Sequence, residues 1–350
     1  MRRKLLVLGI AATAVAALAA ARTASSPASV TKASAGSLSG AGSTFLTPLM
    51  SKWQVDYPAK TGVDINYNPV GSGAGIAAIQ SRTVDFGASD APLTPDQFAA
   101  CKGCVQIPWA LSATSVAYNL SGVPSHLHMT GPVLARIYLG KITKWNDPAI
   151  KKLNPKIDLP STSITPVYRS DGSGTTYNFT DYLAAVSKEW RTKVGNSTQV
   201  NFPAGIGAKG SSGVAGVVSR TDGSLTYVDV AYSLKNKLKF MAMRNNSGNW
   251  TLPGLRGIKA AASTIKKVPA SNEMHIVNPP KGDAKAYPIC TFTYVILPTK
   301  TSKASQLRRF VFYAVNPTQG QKFGPLLLFA PMPTKVLVAA EKALKKVKSS

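Results

Sequence analysis

The chain has 350 residues, 44% of them hydrophobic and 16% charged, with 28 Gly and 24 Pro. That length buries a large core and suggests two lobes or domains, and the composition excludes a collagen-like or low-complexity chain. The formal net charge of +26 raises nucleic acid as a partner, yet Lys and Arg are scattered, dense only near residues 256–267 and 342–348. They are not interleaved with an aromatic platform of the kind that stacks bases, so a surface suited to an anionic envelope is the preferred reading and no nucleic-acid partner is expected.

Residues 1–21 have a basic start (Arg2, Arg3, Lys4), an apolar alanine-rich run and small residues at its end, the pattern of a cleaved secretory signal. No Cys follows the run, so an exported chain without a lipid anchor is expected, in the periplasm or cell envelope. Residues 22–36 are rich in Ala, Ser and Thr and read as a flexible leader. No later stretch approaches the ~20 apolar residues of a membrane-spanning helix.

Next come Gly42, Ser43, Thr44 and Phe45, then helical spacing through Leu49 and Trp53 to Tyr57. Asp64 to Tyr67 alternates like a strand. Gly71, Ser72, Gly73, Ala74 and Gly75 read as a glycine-rich turn, with a helix starting at Ile76. Residues 84–90 form an expected strand ending at Asp90, and Thr94-Pro95 a capped helix start. Cys101 and Cys104 frame a possible structural disulfide in an oxidising compartment. A zinc site would need two further ligands at sensible spacing, and Cys290 is left as a buried free thiol. Residues 105–118 and 286–297 are long, extended and far apart in sequence, and between them lies a continuous α/β block. These are the candidate crossings of a hinge, which sets lobe I at 37–112 with 288–350 and lobe II at 113–287. The run 334–347 alternates apolar and basic positions at helical spacing, which a surface helix explains.

The richest stretch is Arg169, Ser170, Asp171, Gly172, Ser173, Gly174, Thr175 and Thr176, a loop running into an amphipathic helix. A fixed cation, hydroxyls and a helix N-terminus together suit a small anion. With the turns at Gly42–Phe45, Gly71–Gly73 and Ser89–Asp90 they make a cage for a desolvated tetrahedral oxyanion. Asp90 decides which one: an ionised carboxylate only accepts, so it repels sulfate and takes a proton from phosphate. Asp171 is expected to orient Arg169.

Four phrases, residues 40–45, 83–93, 137–145 and 171–175, resemble the phosphate-binding proteins of bacterial high-affinity phosphate ABC transporters (PstS-type), in the same order and over essentially the whole chain after the signal. The resemblance implies a periplasmic-binding-protein fold: two α/β lobes, each a mixed sheet flanked by helices, joined by two hinge strands with phosphate between them. It implies phosphate contacts from Thr44, Phe45, Ser72, Asp90, Arg169, Ser173, Gly174 and Thr175. Thr44, Ser72, Ser173 and Thr175 would give hydroxyls, Phe45, Gly174 and Thr175 backbone N–H groups, Asp90 the proton acceptor and Arg169 the cation. It further implies a monomer without cofactor or catalysis that hands phosphate to membrane permease and ATPase subunits. Gly73 stands where the family often has a second serine. Residues 205–210 match a family stretch and read as a loop, and residues 245–281 depart most. Against this stand a secreted phosphatase, a binder of sulfate, arsenate or molybdate, and a metal site at His126 and His128, which lacks an evident third ligand.

Overall fold

The computed structural model describes residues 36–350. The expected signal (1–21) and the leader up to residue 35 lie outside the described residues. Gly36, the last leader position, is already tied down, its carbonyl accepting from the Asp64 N–H at 3.0 Å.

The first elements are β1 (Ser37–Gly42), α1 (Thr47–Thr61), β2 (Asp64–Asn68), α2 (Ser72–Gln80), β3 (Phe86–Ser89) and α3 (Pro95–Ala100). Pro48 opens α1, where a missing N–H loses nothing. Its buried face is Leu49, Met50, Trp53 and Tyr57, and Gly62 ends it at φ +73°, with its N–H on the Pro58 carbonyl. Thr94 and Gln97 close a capping box on α3, which satisfies two N–H groups at once. One expectation is corrected here: α2 begins at Ser72, so Gly73 and Gly75 are helical. A Cβ on Gly75 would stand 2.4 Å from the Gly42 Cα, so these glycines serve close packing rather than a turn.

The long β4 (Cys104–Tyr118) follows, then β5 (His128–Met129), α4 (Gly131–Tyr138), α5 (Pro148–Leu153), β6 (Thr165–Arg169) and α6 (Gly174–Val186). After these come α7 (Lys188–Lys193), β7 (Ile206–Ala208), α8 (Gly210–Arg220), β8 (Ser224–Asp229) and α9 (Val230–Lys235). The stretch 205–210, expected as a loop, thus holds a short strand and the start of a helix. The chain ends with β9 (Lys239–Phe240), β10 (Ala242–Arg244), β11 (Trp250–Thr251), α10 (Leu255–Ser263), β12 (Cys290–Pro298), α11 (Ala304–Val315) and α12 (Thr334–Leu344).

A nine-stranded mixed sheet runs in the order β2-β1-β3-β12-β4-β8-β6-β7, with β9 added beside β4. β1 is parallel to β2 and β3, and β6 is parallel to β7 and β8. Between these groups run β12, antiparallel to β3 and β4, and β4, antiparallel to β8. β4 changes neighbour midway: Cys104–Ala113 lie opposite β12, whereas Thr114–Tyr118 lie opposite β8. Every residue of β12, and of β4 after Cys104, is buried, as expected of strands covered on both faces.

Aromatic packing differs on the two sides. Trp53, Phe86, Trp109 and Phe310 pack edge-on or tilted behind β1–β3, while Tyr138, Phe179, Phe202 and Tyr227 pack behind β6–β8. The phrase 137–145 packs with this second group, within one continuous buried cluster that includes both, and Trp145 Nε1 donates to the Gly223 carbonyl at 2.9 Å. Cys101 and Cys104 are joined where α3 turns into β4, their Cα atoms 5.6 Å apart. Cys290 is a buried free thiol, and burial pushes it up. Among the described residues no helix is long and apolar enough to cross a membrane.

Candidate functional site

The carboxyl ends of β1 and β3 deliver Gly42–Phe45 and Ser89–Asp90 to one place, and the carboxyl ends of β6 and β7 deliver Arg169–Thr175 and Gly210–Ser211 to the same place. Open α/β sheets bind ligands at such strand ends. Close backbone approach makes the junction possible. Gly42 sits at φ +144° with the Ala88 carbonyl oxygen 2.0 Å from where a Cβ would be, and a Cβ on Gly174 would stand 2.6 Å from that of Asp90. The first turn of α6 therefore lies directly against Asp90.

Asp90 is 2% exposed. Ser43 Oγ donates to its Oδ1 at 2.5 Å and Thr293 Oγ1 at 3.0 Å. Burial raises its carboxyl from 3.8 to about 6, against the pull of Ser43, Thr293 and the Arg169 charge. Among the described residues only Oδ1 accepts a hydrogen bond, which leaves Oδ2 for a proton brought by something else. Ser72 Oγ accepts the Asp90 N–H at 3.2 Å and keeps its own proton to give.

Opposite stands Arg169, 3% exposed. Its Nε and Nη2 grip Asp171 Oδ1 and Oδ2 at 2.7 and 2.5 Å, a two-point pairing that fixes the guanidinium plane. Nη1 is left to reach Ser211 Oγ at 3.5 Å. Burial works to raise Asp171, yet Arg169 and the Gly210 N–H hold it below its usual value. Ser173 caps α6 by accepting the Thr176 N–H at 3.1 Å. The N–H groups of Gly174 and Thr175, on the first turn of α6, have no intrahelical partner. Thr175 Oγ1 is buried and has no hydrogen-bond partner among the described residues. A buried hydroxyl left that way is costly unless something fills the space in front of it.

The two walls touch. Thr44 Oγ1 lies 2.8 Å from Ser211 Oγ and accepts the Ser211 N–H at 3.2 Å. The Tyr232 hydroxyl donates to the Thr44 carbonyl at 3.0 Å. Gly73 N–H donates to the Gly172 carbonyl at 2.9 Å, and a Cβ on Gly73 would come within 3.1 Å of the Gly172 Cα. Gly73 therefore spends its N–H on the opposite wall and brings no side-chain donor where the family often has a second serine. Phe45 is fully buried and meets Phe329 edge-on.

All eight expected contact residues and Asp171 thus line one buried junction. Three neighbours were not singled out from sequence, Ser211, Tyr232 and Thr293, and Ser43 was read as part of its turn without a role of its own. Ser211 carried a usable signal, because Gly210, Ser211 and Ser212 open a helix with the same glycine-and-hydroxyl start as the recognised turns. Of the histidines, His126 and His128 lie away from the junction, whereas His275 lines a small cavity that Asp90 also borders. His126 packs on Phe240, His128 stacks on Trp250 with 4.1 Å between rings, and His275 pairs with Asp181.

The family model for the PBP superfamily domain matches residues 26–318. The phosphate-binding protein PstS of Xylella fastidiosa (strain Temecula1) is 42% identical over 306 residues, 87% of this chain and 84% of that protein. PstS of the archaeon Methanocaldococcus jannaschii is 34% identical, over 80% of this chain and 78% of its own. Among solved structures, a high-affinity periplasmic phosphate-binding protein superposes with a TM-score of 0.71 at 20% identity, over 87% of this chain and 93% of its own. A phosphate-binding protein from Stenotrophomonas maltophilia does so with a TM-score of 0.68 at 18% identity and the same coverage. Both likenesses are of fold.

Proposed function

Because the chain belongs to the PstS family of phosphate-binding proteins within the PBP superfamily, we propose that it holds inorganic phosphate between the Asp90 and Arg169 walls. From there it supplies the permease and ATPase subunits of a phosphate ABC importer, as an exported monomer. The observation that carries this reading is one buried carboxylate set as an acceptor inside a cage of donors. Arg169 Nη1, the hydroxyls of Thr44, Ser72, Ser173 and Thr175, and the N–H groups of Phe45, Gly174 and Thr175 bind the oxyanion. Asp90 Oδ2 accepts a hydrogen bond from the O–H that phosphate keeps and sulfate lacks. An unpaired buried acceptor rejects the proton-free isostere far more strongly than shape does.

Capture follows by hinge closure. Lobe I (37–112 with 288–350) and lobe II (113–287) turn on β4 and β12, a reading supported by the change of partner along β4 at Ala113 and Thr114. The bonds Gly73–Gly172, Thr44–Ser211 and Tyr232–Thr44 are then the ones that open. The chain is a binder rather than an enzyme. Ser72 Oγ is engaged by the Asp90 N–H and Ser173 Oγ by the Thr176 N–H, so neither is paired with a base of the kind a nucleophile needs. Calorimetric titration with phosphate tests the proposal: saturable one-to-one binding without hydrolysis of a phosphate ester is expected. No binding, or turnover of the ester, would overturn it.

A further inference from the structure

A marked charge asymmetry lies away from that site, near the end of the chain. Residues 300–350 hold ten Lys and Arg and one acid, Glu341. Helices α11 and α12 pack together and carry five of these cations, Arg308, Arg309, Lys342, Lys345 and Lys346, around the groove between them and along the outer side of α12. On α11, Arg308 and Arg309 are exposed, and Phe312, four residues on from Arg308, is 46% exposed. On α12, Lys335, Val338, Lys342 and Lys345 follow at helical spacing, with Val338 61% exposed. Arg308, Arg309, Phe312, Glu341, Leu344 and Lys345 line a groove of about 370 Å³ between the helices. Lys342 and Lys346 border the other side of α12. Among the described residues none of Arg308, Arg309, Lys342, Lys345 and Lys346 is in an ion pair, whereas Lys303 and Lys322 are paired with Asp85 and Asp56. The dipole of α12 accounts for cations in its last turn, but not for Arg308 and Arg309 on the neighbouring helix, nor for an exposed aromatic ring among them.

We propose that the α11–α12 face docks on an anionic membrane surface, its cations on lipid phosphates and Phe312 and Val338 in the headgroup layer. Each basic side chain near such a surface adds attraction that falls off within a Debye length, and an apolar residue in the same face adds salt-insensitive binding. A soluble polyanion would use the cations alone and leave Phe312 and Val338 idle, which favours the bilayer. The face shares no hydrogen bond with the Asp90–Arg169 junction, so docking leaves phosphate capture intact.

The test is co-sedimentation of the full chain with phosphatidylglycerol vesicles and with phosphatidylcholine vesicles, wild type beside two variants. One carries Arg308→Glu, Arg309→Glu, Lys345→Glu and Lys346→Glu; the milder one carries Gln at the same four positions. We expect salt-sensitive partitioning onto the anionic vesicles, at least about tenfold weaker for the Glu variant and intermediate for the Gln variant, with phosphate affinity unchanged in both. Phe312→Ser should remove the part of the binding that survives high salt. Equal partitioning of wild type and variants, equal binding to both lipids, or binding to soluble heparin without binding to vesicles would overturn the proposal.

Discussion

The two walls of the site handle charge in opposite ways. Arg169 meets its counter-ion two residues away, in its own wall, through two hydrogen bonds to Asp171. Asp90 has no cation in its own wall. It is held by hydroxyls from Ser43 and Thr293, 47 and 203 residues distant, and burial leaves its carboxyl at about 6. The Arg169 wall is therefore charge-balanced before any ligand arrives, while the Asp90 wall is poised to accept a proton. In the proposed site, attraction for an anion and choice among anions thus sit apart, on Arg169 at the end of β6 and on Asp90 just after β3.

The largest effect should come from breaking the balanced wall. Arg169→Ala strands Asp171 and removes the cation, so phosphate affinity should fall by about 2–5 kcal/mol on the scale of truncated buried charge pairs, read by calorimetry. A small loss would mean that helix dipoles alone hold the anion. Gly174→Ala puts a Cβ 2.6 Å from that of Asp90 and presses the walls apart. It should weaken binding by about 1–3 kcal/mol, the range for overpacking, with a lower melting temperature in saturating phosphate.

The poised wall predicts a pH dependence. A carboxyl raised from 3.8 to about 6 takes up a proton when the empty protein folds. Its stabilising share is complete below the unfolded value and is lost as the pH rises through about 6, a change on the order of 3 kcal/mol. Asp90→Asn should flatten that part of the stability profile, measured by denaturant unfolding at several pH values; an unchanged slope would place the titration elsewhere. The smallest effects belong to the bridges. Ser211→Ala and Thr293→Val should each cost about 1 kcal/mol of phosphate affinity, the first by loosening closure at Thr44 and the second by changing the Asp90 proton affinity. Only Thr293→Val should therefore move the pH dependence of binding.

How much of this was legible in sequence follows the same division. The Arg169 wall is written as one contiguous string, because a strand end, a cation, its carboxylate and a helix cap fall within eight residues. The early alternation of strands and helices and the two long extended runs at 105–118 and 286–297 were also readable, the second starting four residues before β12 does, while the elements between them were read only as an α/β block. The Asp90 wall is assembled from β1, β3 and β12, so its turns at Gly42–Phe45, Gly71–Gly73 and Ser89–Asp90 stood out only as separate short pieces, and Thr293 not at all. Thr293 is masked by the apolar strand around it, and its register beside Asp90 exists only once β12 pairs with β3. The start of α2 was misplaced because Gly73 and Gly75 look like turn residues, although they are small to let backbones meet. The phrase 137–145 marks the family as clearly as the site residues do, yet Tyr138 and Trp145 are core; a strong motif is not by itself a contact.

The account rests on Asp90 as the acceptor that separates a protonated oxyanion from a proton-free one. The direct test is the ratio of phosphate to sulfate affinity in the wild type and in Asp90→Asn, titrated by calorimetry at one pH. The account predicts a large ratio that collapses in the variant, with phosphate weakened and sulfate newly bound. A ratio left unchanged by the substitution would contradict it.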